Sequence, residues 1–309
     1  MDIETLNSLY SHAGYVTFKE GPNGFPIALI TTPHATAAIT PYGAHLLSYE
    51  FTSDKNNLLF LSEKAIFNEG TPIRGGIPIC WPWFGPDPQN LGRSDHGLAR
   101  TRMWSVVASD LLEDQECSIT FELTDSPETY ALWPHCFSLT LKLTVGKTLT
   151  LELTTHNRGS TPFELTQALH TYFNIGDITR TKITGLEKFT YIDKTDKSHE
   201  KCEENPIIIE AETDRIYVYD GREIVMHDVS LNRSISIECE GSKTAVVWNP
   251  WIRVCEQKAD LSAEDYKKMI CIETANTRDE IITLKPNESH TLKAIYKEKV
   301  EEIEALKNT

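Results

Sequence analysis

No run of about 18 apolar residues occurs in this chain, so no ordinary membrane-spanning helix is read. The opening stretch MDIETLNSLYSHAG is acidic and polar, without a basic n-region or an apolar h-region, so it is not read as a signal peptide and a cytoplasmic protein is expected. In that compartment the sequons at Asn232 and Asn287 carry no meaning. Positive charge is scarce: 30 Lys and Arg stand against 45 Asp and Glu, a net charge of −15. That balance is wrong for a nucleic-acid partner, whose phosphate backbone needs a basic surface. It leaves a small anionic substrate open, because screening over about 8 Å at physiological salt puts a site under its own local charges. The seven cysteines are scattered, odd in number and never spaced as CxxC, so neither a disulfide framework nor a zinc site is read. No HExxH, no GxGxxG after a strand, no GxxxxGK[ST] and no GxSxG occurs. Neither a metal nor a cofactor is expected, which leaves chemistry that needs only an acid, a base and binding groups.

Alternation with period two is abundant. In FSLTLKLTVGKTLTLELTTHN, Phe137, Leu139, Leu141, Leu143 and Val145 alternate with polar residues, and the pattern resumes at Leu149, Leu151 and Leu153. This predicts a long hairpin with one buried face, turned by a two-residue loop at Gly146-Lys147. Further strands read at WSVVASDLL, CSITFELT, REIVMHDV, RSISIEC, TAVVWNPW, MICIETAN, IITLKP and TLKAIYK. Helical periodicity is confined to DIETLNSLY, LSAEDYKKM and the tail EKVEEIEAL. Many strands and few short helices predict an all-β antiparallel sandwich or barrel. No linker, repeat or composition shift divides the chain, so residues 1–309 are read as one domain. Between Gly70 and Gly97 lies a long Pro- and Gly-rich stretch, and such loops are more often functional than not.

Four polar clusters stand out. Arg74 sits in PIRGGIPICWPWFG, whose double glycine would let backbone approach a ligand. Asp95, His96, Arg100 and Arg102 crowd into SDHGLARTRMW. His170 lies in LTQALHTYFNIGD, and Glu273 lies in ICIETAN on a strand that otherwise reads as core. Taken singly, each has a plainer alternative. A lone histidine is usually a satisfied core or surface group. Loop arginines are usually solvated, and Glu273 would face water if its strand lay at a sheet edge. Trp81, Trp83 and Phe84 are more often packing than sugar stacking, although a Pro-rich loop is a poor place for core.

Together, ITPYGAHLLSYE, IRGGIPICWPWFGP, HGLARTRMW, LTQALHTYFNIGDI, ETDRIYVY, VVWNPW and CIETAN resemble the aldose 1-epimerase superfamily, and within it the hexose-6-phosphate mutarotases. The resemblance runs in order from about Ile39 to Lys285. It implies a large antiparallel β-supersandwich of the galactose mutarotase type, with the site in a cleft across one sheet. By motif position it implies that His170 is the general acid and Glu273 the general base. Arg74 and Arg100 would hold the substrate through its phosphate, and Asp214 of TDRIY would bind sugar hydroxyls. His96 is a further substrate-side residue. Asp95 beside it departs from relatives that carry glutamine, and an acidic group sits badly beside a phosphate.

The implied activity is interconversion of the α and β anomers of a hexose 6-phosphate, glucose 6-phosphate above all, by an isomerase expected to act as a monomer. Ring opening removes the proton of the C1 hydroxyl and delivers one to the ring oxygen. Positioned acid and base groups each contribute about 10²–10⁴-fold to such a step. A glutamate among core residues should have its pKa raised by desolvation. A histidine beside a carboxylate and an anionic substrate should hold its proton more readily. Two alternatives remain: a mutarotase for unphosphorylated aldoses, and a carbohydrate-binding sandwich without turnover.

Overall fold

Alternating residues become sheet faces in the computed structural model of the protein, which describes residues 1–299. In the hairpin Phe137–Val145 and Leu149–Asn157, the inward side chains from Phe137 to Leu153 are at most 1% exposed. Each fully buried leucine of this kind contributes about 1.5–3 kcal/mol. Val145 pairs with Leu149, so the turn has three residues, Gly146–Thr148, and not the expected two. Glu116 from the neighbouring hairpin accounts for the extra residue. Its carboxylate accepts the Lys147 N–H at 2.9 Å, and a Cβ on Gly146 would fall 2.2 Å from it.

The hairpin lies within a nine-stranded antiparallel sheet that runs from Ile207–Ile208 at one edge to Ser105–Leu111 at the other. Opposite stands an eight-stranded sheet. Its order is His199–Cys202, Thr190–Asp193, Thr213–Val218, Thr244–Asn249, Met269–Asn276, Gln167–Leu169 and Ile79–Cys80, with Tyr172–Asn174 also paired to Met269–Asn276. A four-stranded sheet from Val16 to Phe51 completes the frame. The main core lies between the two large sheets, where the Phe173 ring meets Tyr296 at 5.6 Å. Fully buried polar links cross this core. Trp81 Nε1–H donates to Thr155 Oγ1 at 2.9 Å, and the Thr171 and Tyr296 hydroxyls meet at 2.6 Å.

Three α-helices occur among the described residues: α1 (Ile3–Tyr10), α2 (Pro127–Leu132) and α3 (Trp251–Gln257). The first falls where DIETLNSLY places it. LSAEDYKKM forms only a 3-10 turn, Asp265–Lys267, because Asp265 turns back to accept the Ser262 N–H at 2.7 Å and the Ser62 hydroxyl at 3.2 Å. VVWNPW is not strand throughout. Pro250 lacks the donor a ladder needs, the strand stops at Asn249, and Trp251 opens α3. Of EKVEEIEAL, Glu298 and Lys299 continue the strand Ser289–Lys299, and Val300 onward lies outside the described residues. No helix among the described residues is long and apolar enough to cross a membrane. Trp81 and Trp83 belong to the core, at 0% and 4% exposure, despite their Pro-rich setting.

Candidate active site

The strand Met269–Asn276 is buried along its whole length, with Thr244–Asn249 on one side and Gln167–Leu169 and Tyr172–Asn174 on the other. Glu273 therefore does not face water from an edge. Across from it the ladder is interrupted at His170 and Thr171, yet its register runs through. Leu169 faces Thr274 and Tyr172 faces Cys271, so His170 lies opposite Glu273. Directly opposed residues on one sheet face bring their side chains together. Here His170 Nδ1 lies 3.3 Å from Glu273 Oε1, with the two side chains only 10% and 1% exposed. Thr171 points the other way, held by Tyr296 in the core. That anchor fixes which of the two neighbours looks into the cleft.

Apart from this contact the pair is poorly satisfied: His170 Nδ1 and Glu273 Oε2 are buried without a hydrogen-bond partner. Ring contacts fix the imidazole instead. It stacks on Tyr172 at 4.8 Å and 10°, and it meets Trp248 edge-on at 5.9 Å. Burial pushes the Glu273 pKa well above the ordinary carboxylate value, and Asp214 adds to the rise. Burial also pushes the His170 pKa well below the ordinary imidazole value, helped by His96, Arg100 and Arg74. The expectation that His170 would hold its proton more readily is thus reversed in the free protein, since desolvation and nearby cations outweigh the one carboxylate.

A cavity of about 180 Å³ opens over this pair. It is lined by all seven residues that the motifs single out: Arg74, Asp95, His96, Arg100, His170, Asp214 and Glu273. Arg74 Nε–H donates to the Asp260 carboxylate at 3.0 Å and its Nη1–H to the Tyr172 hydroxyl at 2.9 Å. Arg100 Nη2–H donates to the Asp95 carbonyl at 2.8 Å, while the rest of Asp95 is exposed. His96 Nδ1 accepts the Gly85 N–H at 3.2 Å, which assigns the ring proton to Nε2. Its pKa is lowered to about 3 by burial, then by Arg100, Lys194, Arg74 and Lys258, so the ring is neutral. Asp214 pairs with Lys194 at 3.1 Å.

The double glycine lets the protein's own backbone approach closely. A Cβ on Gly75 would meet the Phe60 carbonyl oxygen at 2.4 Å, and one on Gly76 would meet the Leu46 carbonyl oxygen at 2.2 Å. Both glycines have positive φ, 107° and 62°. Arg102 is not among the cleft residues. Lys194, Lys258 and Trp248 are, although sequence reasoning gives them no role, and so is Phe84, which the sequence left between packing and sugar stacking. Trp248 follows from VVWNPW by alternation, opposite Asp214 in the register. The two lysines sit in YIDKTDK and CEQKAD, where nothing separates them from solvated ones. His170, Cys271 and Glu273 offer ligand atoms within 4.8 Å of one another, but a dication there would face Arg74, Arg100, Lys194 and Lys258. A larger cavity of about 520 Å³ lies at Trp83, Trp133 and Phe163. It lacks a histidine in contact with a carboxylate.

Residues 26–297 match the family described as aldose 1-epimerase. A protein of Escherichia coli (strain K12), provisionally named a glucose-6-phosphate 1-epimerase, is 36% identical over 271 residues, 87% of this chain and 89% of that one. A protein of Cenchrus ciliaris with the same provisional name is 34% identical over 278 residues, 86% of this chain and 83% of its own. The crystal structure of a protein of Salmonella typhimurium, provisionally named a mutarotase, superposes with a TM-score of 0.87 at 31% identity. It covers 96% of this chain and 98% of that one.

Proposed function

The chain belongs to the aldose 1-epimerase family and is an isomerase, and from that premise we propose that it interconverts the anomers of a hexose 6-phosphate, glucose 6-phosphate foremost. The observation that carries this reading is the buried contact of His170 with Glu273 at 3.3 Å, in a cleft lined by cations. O1 and O5 of a pyranose are bonded to the same carbon. A base for one and an acid for the other must therefore stand side by side, as these two do.

In the reaction, the Glu273 carboxylate takes the proton of the C1 hydroxyl and His170 gives a proton to the ring oxygen. Its Nε2 is the ring nitrogen left for the sugar, since Nδ1 faces Glu273. The C1–O5 bond breaks and an aldehyde forms at C1. After rotation about C1–C2, the O5 hydroxyl adds to the other carbonyl face. Its proton returns to His170, while Glu273 returns its own to O1. Both groups are restored, and no electrons leave the substrate. Asp214 accepts from ring hydroxyls, His96 Nε2–H donates to one, and Arg74 and Arg100 hold the phosphate. Asp95 contributes its carbonyl, which orients Arg100. The exposed carboxylate at that position tempers the affinity for a dianion. The protein works in the cytoplasm, as a monomer.

Magnetisation exchange between the anomeric protons, read by NMR, tests the reading. Enhanced exchange is expected for glucose 6-phosphate, with a smaller effect on glucose. Equal or larger enhancement with glucose would indicate an enzyme of free aldoses. No enhancement with glucose, galactose, mannose or their 6-phosphates would leave a binding protein.

A further inference from the structure

Four cations line the cleft, and their partners distinguish them. Arg74 is paired with Asp260 at 3.0 Å and Lys194 with Asp214 at 3.1 Å. Arg100 is bonded to a carbonyl only, and Lys258 meets no carboxylate within ion-pairing distance among the described residues. Beyond Asp214 a second chamber, about 260 Å³, shares Lys194 and Asp214 with the cleft and adds Thr195, Glu212 and Arg253. The two cations there are both matched, since Arg253 Nη2 lies 2.8 and 2.7 Å from the Glu212 oxygens. Positive charge in excess of its partners is therefore found with Arg74, Arg100 and Lys258, and not in the Lys194–Arg253 chamber.

Lys258 is tied to Arg74 through the backbone. It caps the C-terminus of α3, its N–H bonded to the Cys255 carbonyl at 3.2 Å, and its own carbonyl accepts the Leu261 N–H at 3.2 Å. Inside that tight turn lies Asp260, whose carboxylate grips Arg74 Nε. One short turn thus presents a free ammonium to the cleft and positions the Arg74 guanidinium that lines the same cleft, whose Nη2 makes no hydrogen bond among the described residues.

Resting on the hexose-phosphate reading above, we infer that Lys258 selects for phosphate. The C6 dianion is seated between its ammonium and the Arg74 guanidinium that Asp260 holds, and the sugar hydroxyls run toward Asp214. Lys258 binds the substrate, and Asp260 is a positioning residue that acts through Arg74. The mixed chamber at Lys194 and Arg253 takes no phosphate.

The test compares kcat/KM for glucose 6-phosphate and for glucose in the wild type, Lys258→Met and Lys258→Arg, with inorganic phosphate as a competing anion. One charge-assisted bond lost should lower the ratio of the two kcat/KM values by about 10–100-fold in Lys258→Met. The inhibition constant of inorganic phosphate should rise by a similar factor, and Lys258→Arg should keep most of the preference. Arg253→Met, in the matched chamber, should leave the ratio as it is. A wild-type preference for the phosphate that survives Lys258→Met overturns this assignment alone. A wild type with no such preference overturns the hexose-phosphate reading together with it.

Discussion

His170 and Glu273 are pushed toward the forms that ring opening does not start from. Burial protonates the carboxyl first, and burial together with Arg74 and Arg100 strips the imidazole. The pair nevertheless holds one proton either way, so the charged and neutral arrangements differ only in where it sits. The neutral arrangement is also the one reached when the sugar ring is open, after Glu273 has taken a proton and His170 has lost one. A phosphate dianion against the arginines cancels part of the field that lowers the His170 pKa, which moves the proton toward the arrangement needed to open the ring. The expected pH profile follows from the two directions. Activity should be level through neutral pH and fall on the acid side only well below 6.5, the ordinary imidazole value, as His170 takes a second proton. It should fall on the alkaline side as the pair loses its proton, far above the ordinary carboxylate range. Glu273→Gln should lower kcat by about 10²–10⁴-fold and move the alkaline limb down to below 6.5, because His170 alone must then hold the acid proton. NMR exchange rates across pH would check this, with glucose alongside because phosphate itself titrates near pH 6. An acid limb at or above 6.5 with glucose would refute the depressed imidazole.

Among the elements, what alternates was legible and what interrupts was not. The hairpin Phe137–Asn157 follows from a period of two with one apolar face, and the strand Met269–Asn276 from a short run of core side chains that is buried on both faces. The Gly146 turn, α3 and the Asp265 turn depend on Glu116, Pro250 and Ser262, contacts or breaks that periodicity does not carry. The Gly75-Gly76 bend is the case that matters for the site, because it follows Arg74. Buried His45 braces it, donating Nε2–H to the Gly75 carbonyl at 2.7 Å while its Nδ1 has no partner. Burial lowers the His45 pKa to about 4. The unfolded chain, with an ordinary value of 6.5, therefore takes this proton first. Stability is complete above pH 6.5 and is lost as pH falls toward 4, by about 3 kcal/mol. Urea unfolding at neutral pH and near pH 4 should show this loss in the wild type, and His45→Gln should lack that share of it. An NMR titration that placed the His45 ring near 6.5 would sink the claim.

For the whole molecule, the site is an assembly that no single stretch encodes: Arg74, His96, His170, Asp214, Lys258 and Glu273 come from six separate segments. The motifs made six of the seven singled-out residues recognisable by chemistry and position, while Asp95 stood out as a departure. Lys258 was invisible because an unpaired lysine differs from a solvated one only by what surrounds it. The same scale sets the last expectation. The surface carries −15 overall, while the excess positive charge at the cleft is a few side chains deep. At low ionic strength, with a Debye length near 30 Å, an approaching dianion feels the whole molecule and is repelled. At about 0.1 M salt the Debye length is near 10 Å, and the nearest charges are those of Arg74, Arg100 and Lys258. Adding sodium chloride from about 10 mM to about 100 mM should therefore raise kcat/KM for glucose 6-phosphate, on the order of twofold, and leave that for glucose level. Tighter binding sites usually show the reverse, because salt weakens contacts it can reach. A fall in kcat/KM over this range would mean that the cleft's cations dominate the field even at a distance, and that the acidic surface plays no part in substrate approach.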